Sequence, residues 1–511
     1  MKKLYLSLIA LCTIVFVQLN AQDRYLEEVF TDAEIQVTSD IHYATNATIL
    51  GLLFDPNIDE FIPEPLFMDV YEPDPSIDTV SNRPVVMVVH GGDALPRLAN
   101  NACWGDKLDS VTVVTAKKLA RMGYVAVAPN YRLGWNPLTT TQDLFLDGLV
   151  DAGVRVQQDL KACARWLRKD VAEDGNTYNI DADQIAIWGT ASTAGTYAGF
   201  AAYINELEET QTPTWFVTDE DGNVYNTFNL MEAGNLDGTE VGVNALGDTT
   251  NYVNTPGYSS RFQLAALGSG ISLDPGTIDA DEPPMIMFGN PNSPVTQFPE
   301  GPIQLPTTGE VVAFAQLSQG MITEANEVGV NDAWINANPT DVYTTAQQAD
   351  PNFGAQEGWL PLYGDPDNEY PWVWWDTLNC PLSAESFDVL PGANRDMGLL
   401  QIDTMAGYFG VRACITFGLG CPGFTSTKEV VLDESLVNIA PNPTEGGLTV
   451  EATAGKMIED IRIMTINGQE MGRYRVDNHY FQVEDLKLTP GFYLALVRFE
   501  DGVVPKKIVV R

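Results

Sequence analysis

Between residues 83 and 189 the chain alternates two kinds of apolar pattern. "RPVVMVVHGG" (83–92), "YVAVAPNYRLGW" (124–135) and "QIAIWG" (184–189) are unbroken apolar runs that end at glycine or turn residues. Such runs predict strands buried on both faces. "PPMIMFGNPN" (283–292) predicts a fourth. Between them, "SVTVVTAKKLARMG" (110–123) and "VRVQQDLKACARWLRKDVAEDG" (154–175) read as amphipathic helices, the second with Val156, Leu160, Cys163 and Leu167 on one face. This alternation predicts an α/β domain: a mostly parallel sheet with helices on both faces.

From residue 437 the period changes. "VNIAPNPTEGGLTVEAT", "IEDIRIMTINGQEM" and "GFYLALVRFEDGVVPKKIVVR" alternate polar and apolar, broken at the hairpin pairs Asn467-Gly468 and Asp501-Gly502. A small β-sandwich is expected over 437–511, joined by the polar linker "TSTKEVVLDESL" (425–436). At the other end, Lys2 and Lys3, the apolar run Leu4–Val17 and Ala21 before Gln22 form an export leader over 1–21. The expected organisation is therefore leader 1–21, α/β domain 22–424, linker 425–436 and sandwich 437–511. No later stretch reaches 18 uninterrupted apolar residues, so no membrane span is expected.

Charge narrows the partners. The 511 residues carry a formal charge of −41, which argues against nucleic acid and anionic membrane as partners. Export permits disulfides. Five cysteines follow the leader, an odd number that leaves at least one unpaired. Cys103–Cys163 is the first pairing expected, from elements flanking one sheet, and Cys414–Cys421 the second. With three histidines and no Cys-x-x-Cys, neither a metal site nor a cofactor is expected.

The C-terminal module resembles the type IX secretion C-terminal sorting domain of Bacteroidetes. The resemblance rests on Ala440-Pro441-Asn442-Pro443, Asn467-Gly468, Pro490-Gly491-Phe492-Tyr493 and Lys506-Lys507-Ile508-Val509-Val510. It implies handling by the type IX machinery, and a secreted or cell-surface location reached through the periplasm and outer membrane. The larger domain resembles the α/β-hydrolase fold in its carboxylesterase and lipase branch. "MDVYEPDP" followed by "RPVVMVVHGG", and "GYVAVAPNYRLG" leading to "QIAIWG", carry that likeness. "YRLGWNP" (131–137), "PGYSSR" (256–261) and "PTTGE" (306–310) carry a narrower one, to secreted Bacteroidetes proteins that join this fold to the sorting domain.

That resemblance implies a catalytic triad, and each slot departs from it. The oxyanion loop is His90-Gly91-Gly92-Asp93, with Gly91 and Gly92 as candidate donors and a carboxylate where a third glycine is expected. The nucleophile turn is Gly189-Thr190-Ala191-Ser192-Thr193-Ala194-Gly195. Counted without gaps, the nucleophile slot of Gly-x-Ser-x-Gly holds Ala191. One residue further on gives Ser192, the catalytic candidate, and one more gives Thr193. The acid slot in "FGNPNSPV" holds Asn292, and no histidine lies between it and the sorting module. Two functions compete: a binding or surface protein with a degenerate triad, for a small-molecule or glycan ligand, and a carboxylic ester hydrolase using Ser192. Two other stretches carry weaker signals. "TDEDGNVYNT" (218–227) reads as a partial calcium loop or an acidic hairpin tip, and "EYPWVWWD" (369–376) as a ligand-stacking surface or as core packing.

Overall fold

The computed structural model describes residues 24–55, 57–97, 99–100, 102–219, 221–272, 274–293, 298–304, 309–375, 390, 392–421, 434–453, 455–465, 470–499 and 502–511. The expected leader, Cys380, the expected Asn467-Gly468 turn and residues 425–433 of the expected linker lie outside them. The chain divides into two compact units, Met1–Ser426 and Thr427–Arg511.

The first unit is built on one eight-stranded sheet. Its strands are β1 (Ile35–Thr48), β2 (Ile62–Pro73), β3 (Arg83–Val89), β4 (Val125–Pro129), β5 (Ile180–Gly189), β6 (Leu264–Gly268), β7 (Met285–Gly289) and β8 (Trp359–Pro361), in the order β1-β2-β4-β3-β5-β6-β7-β8. β1, β2 and β4 pair antiparallel, and every pairing from β4 through β3 to β8 is parallel. β3 shows why its run lacks alternation: Val85, Met87 and Val89 face one core and Val86 and Val88 the other. Helix α2 (Gln142–Glu173), α3 (Ser192–Tyr203) and α4 (Ser318–Val328) supply the first core; α1 (Ser110–Arg121) and α5 (Arg395–Phe417) supply the second.

Helix α2 begins twelve residues before its expected start, and β6, β8 and α5 were not legible as elements. The cysteine expectation is corrected in part. Cys414 and Cys421 are bonded, with Cα atoms 5.9 Å apart. Cys163 is a free, buried thiol, whereas Cys103 is disulfide-bonded to neither Cys163 nor the 414–421 pair. The reason is the sheet itself: Cys163 packs in the core on one face, and Cys103 against the core on the other.

The second unit has two antiparallel sheets. Strands β9 (Val437–Ala440), β10 (Leu448–Ala452) and β13 (Tyr480–Val483) form one, and β11 (Ile458–Thr465), β12 (Glu470–Asn478), β14 (Gly491–Phe499) and β15 (Gly502–Val510) the other. Val450 from the first and Ile461, Ala495 and Ile508 from the second share one core.

Just before β7, Glu282 is partly buried beside Glu209 and Asp279, and burial pushes its carboxyl up to about 8. Its folded pKa lies above its unfolded value, so its stabilising contribution is present below about pH 4.5 and is lost as pH rises through about 8. Thermal midpoints are expected to fall between pH 5 and pH 9. Glu282→Gln, which stays neutral, should flatten that fall by about 1–3 kcal/mol after discounting for partial exposure. Calorimetry across this range checks it; an unchanged slope refutes it.

Candidate functional site

The turn from β5 into α3 is where the sequence placed its nucleophile. Ala191 is the residue just before α3, 1% exposed, with extended backbone (φ −160°, ψ 178°). Ala191 therefore lacks the strained, positive-φ geometry of a residue at a nucleophile elbow. The turn is nonetheless tightly held. Thr190 donates N–H and Oγ1 to the Val89 carbonyl (3.1 and 2.8 Å), and Trp372 Nε1 donates to the Thr190 carbonyl at 2.7 Å. Ser192 is the first residue of α3; Thr193, the next, donates its hydroxyl to Asp93.

The loop after β3 comes over this turn. Gly91 lies against the Trp104 ring, and Gly92 sits at φ 100°, where a Cβ would stand 2.3 Å from the Gly105 Cα. Close packing therefore requires glycine at 92, independently of any chemistry, and leaves little room at 91. Asp93 and Ala94 follow at φ 59° and 50°. Burial raises the Asp93 carboxyl above its ordinary value, and the Thr193 hydrogen bond opposes that shift.

No imidazole meets these groups. His90 is buried, its Nδ1 is 2.8 Å from the Gly91 carbonyl, and its ring stacks on Tyr131 at 4.2 Å. Burial holds its pKa below the usual range, and Nε2 has no hydrogen-bond partner among the described residues. His42 is exposed beside Thr45, and His479 belongs to the second unit. Asn292 turns its Nδ2 to the Gly364 carbonyl at 2.9 Å, closing the loop after β7.

Beside the turn lies a cavity of about 200 Å³. Asp93, Thr193, Thr196 and Tyr197 are its polar lining residues, and Trp135 and Phe200 are among its apolar ones. The Tyr197 hydroxyl is buried without a hydrogen-bond partner among the described residues. Sequence reasoning missed Trp135, Tyr197 and Phe200. Tyr197 was accessible to it, because it follows Thr193 by four residues on the same helix.

The two weaker motifs are structural. Asp219 accepts from the Asp221 and Asn223 N–H groups (3.0 and 2.7 Å) and from Asn223 Nδ2, which closes the hairpin tip on itself. Trp372, Trp374 and Trp375 are buried in the second core. Among the described residues no cluster of three or more His, Cys, Asp or Glu side chains is placed to hold a metal ion.

Residues 68–289 match the BD-FAE family, and residues 438–511 match the secretion system C-terminal sorting domain. The chain thus joins a domain that matches the BD-FAE family to a type IX sorting domain. Similar solved structures include a bifunctional GH43-CE from Bacteroides eggerthii (16% identity, 59% of this chain and 31% of that one, TM-score 0.30). Another is esterase B from Lactobacillus rhamnosis (19% identity, 51% and 57%, TM-score 0.23). A third is a truncated carbohydrate esterase from gut microbiota (12% identity, 73% and 99%, TM-score 0.31). The chain thus spans about a third and just over half of the first two. No curated protein sequence matches it. The match to the sorting domain implies export to the cell surface or secretion. Among the described residues no helix is long and apolar enough to cross a membrane.

Proposed function

We propose that this BD-FAE domain is a non-catalytic binding domain, carried outside the cell by its sorting module. The observation that carries the reading is the elbow: a buried alanine with relaxed, extended backbone stands where the nucleophile belongs. The histidines add support, since the buried one is stacked on Tyr131 and the other two are exposed. A serine or threonine hydroxyl with no adjacent base is a poor nucleophile at neutral pH. The carboxyl of Asp93 beside the loop glycines would also oppose the negative charge of an acyl-transfer intermediate. In the same reading residues 1–21 are an export leader and 425–436 a connector between domain 22–424 and module 437–511.

Hydrolysis of p-nitrophenyl acetate and butyrate by the full chain tests this. The rate is expected to match that of the Ser192→Ala, Thr193→Ala double variant within about twofold, because residual turnover from loop donors alone needs neither hydroxyl. A fall of about tenfold, equivalent to about 1.4 kcal/mol of barrier, would mean that a hydroxyl attacks. The protein would then be an ester hydrolase working through Ser192 or its neighbour.

A further inference from the structure

The cavity beside the elbow has an electrostatic sign opposite to that of an ester-cleaving site. Acyl transfer builds negative charge and is served by hydrogen-bond donors. Here the loop turns a carboxyl into the space. Asp93 is held there by its backbone: Trp135 Nε1 donates to the Asp93 carbonyl at 2.7 Å, and Gly134 N to the Ala94 carbonyl at 2.6 Å. Both Asp93 and Ala94 occupy the left-handed region that non-glycine residues avoid.

The Asp93 carboxyl is half-buried, and its one described side-chain partner is the Thr193 hydroxyl. No lysine, arginine or histidine among the described residues forms an ion pair with it. The cation adjoining this region, Arg155, acts electrostatically on Tyr197 but is anchored away from the Asp93 carboxyl: Nη2 donates to the Gly134 carbonyl at 2.8 Å, and Nη1 lies 3.9 Å from Asp151. Thr193 belongs to the first turn of α3, whose N-terminal dipole favours the ionised carboxyl and counters its burial. The rest of the lining is mixed, with Leu149, Val150 and Ile271 aliphatic and Thr196 polar. Trp135, Tyr197 and Phe200 present aromatic rings, and the unpartnered Tyr197 oxygen can accept a hydrogen bond.

A half-buried carboxyl without an ion-pair partner among the described residues, an unpartnered phenol oxygen and aromatic residues in the wall are components that recognise an ammonium group. We propose that this cavity binds a small organic cation: an amine or ammonium headgroup against Asp93 and Tyr197, carrying an apolar body about one ring in size. The volume of about 200 Å³ fits that size, since a dry cavity of about 150 Å³ accepts benzene. The inference rests on the non-catalytic reading above and names its ligand class.

Titration calorimetry of the full chain at pH 7 with 2-phenylethylamine, 2-phenylethanol and phenylacetate tests it. These share a ring and differ in headgroup charge. The amine is expected to bind at least about tenfold more tightly than the alcohol, and phenylacetate more weakly than either. Asp93→Asn should reduce the preference for the amine to within about threefold. Tyr197→Phe, which keeps the carboxyl, should weaken the amine and preserve the ranking; with the native chain it decides the matter if Asp93→Asn does not fold. Equal binding of amine and alcohol, an amine preference that survives Asp93→Asn, or no binding of the amine at millimolar concentration would each overturn the proposal. Ester turnover separates the two readings. An inert chain that ignores the amine refutes only the ligand, and turnover that depends on Ser192 or Thr193 refutes only the absence of catalysis.

Discussion

Asp159→Ala is expected to destabilise the first unit by about 3–5 kcal/mol. Asp159 and Arg132 are an ion pair with both side chains 0% exposed, 2.9 Å apart. Asp159 also accepts the Arg132 N–H at 2.9 Å and Asn46 Nδ2 at 3.1 Å. Arg132 reaches onward to the Thr250 and Arg155 carbonyls (3.1 and 3.2 Å) and to Gln158 Oε1 at 3.0 Å. One guanidinium thus ties the segment after β4 to α2 and to the insertion before β6. Truncating the aspartate leaves that cation buried and uncompensated, which costs more than the pair contributes. Urea denaturation of the full chain, followed by tryptophan fluorescence, should show the loss. The Arg132→Met, Asp159→Ala double variant should recover part of it, because the orphaned charge is gone. A loss below about 1 kcal/mol in the single variant would mean that water reaches Arg132.

Gly195→Val should be at least as severe, at about 4 kcal/mol or more. A Cβ at this position would stand 2.6 Å from the Gly268 carbonyl oxygen and 2.9 Å from the Gly270 nitrogen. Both neighbours are backbone, so no side chain can rotate away. Helix α3 would have to lift from β6, opening the core on that face. Soluble expression and thermal unfolding measure the effect. A variant within 1 kcal/mol of the native chain would show that α3 moves freely on the sheet. This closing glycine of the elbow is therefore required by packing, and its presence in the sequence says nothing about chemistry at Ala191.

That distinction explains which parts of the molecule were legible. The strands over 83–89, 125–129 and 285–289 are short apolar runs bounded by turns, and the pattern locates them well. Strand β6, "LAALG", has no β-branched or aromatic residue and gives no strand signal. Helix α5 carries Gly407 where a helix disfavours it; a Cβ there would stand 2.1 Å from the Tyr343 ring, a reason visible only in three dimensions. The early start of α2 was hidden in the same way by Gly148 and Gly153, the latter pressed against Phe200. At the site, the odd carboxylate of the His-Gly-Gly-Asp loop was visible in the sequence. Its partner Thr193 lies 100 residues away, and only the sheet brings the two together. The expected Cys103–Cys163 bond failed for a related reason: linear order places both cysteines beside one sheet and does not say on which side.

Cys163 has a use that follows from its position. Its sulfur lies 3.6 Å from the Met68 sulfur, between α2 and the sheet, and it is 0% exposed. Burial also holds its thiol far above the ordinary range, so the reactive thiolate is scarce even where reagent arrives. An alkylating reagent can label it only in molecules whose central helix has parted from the strands. Its labelling rate in native buffer is therefore a clock for rare opening of the domain, built into the chain without any engineered probe.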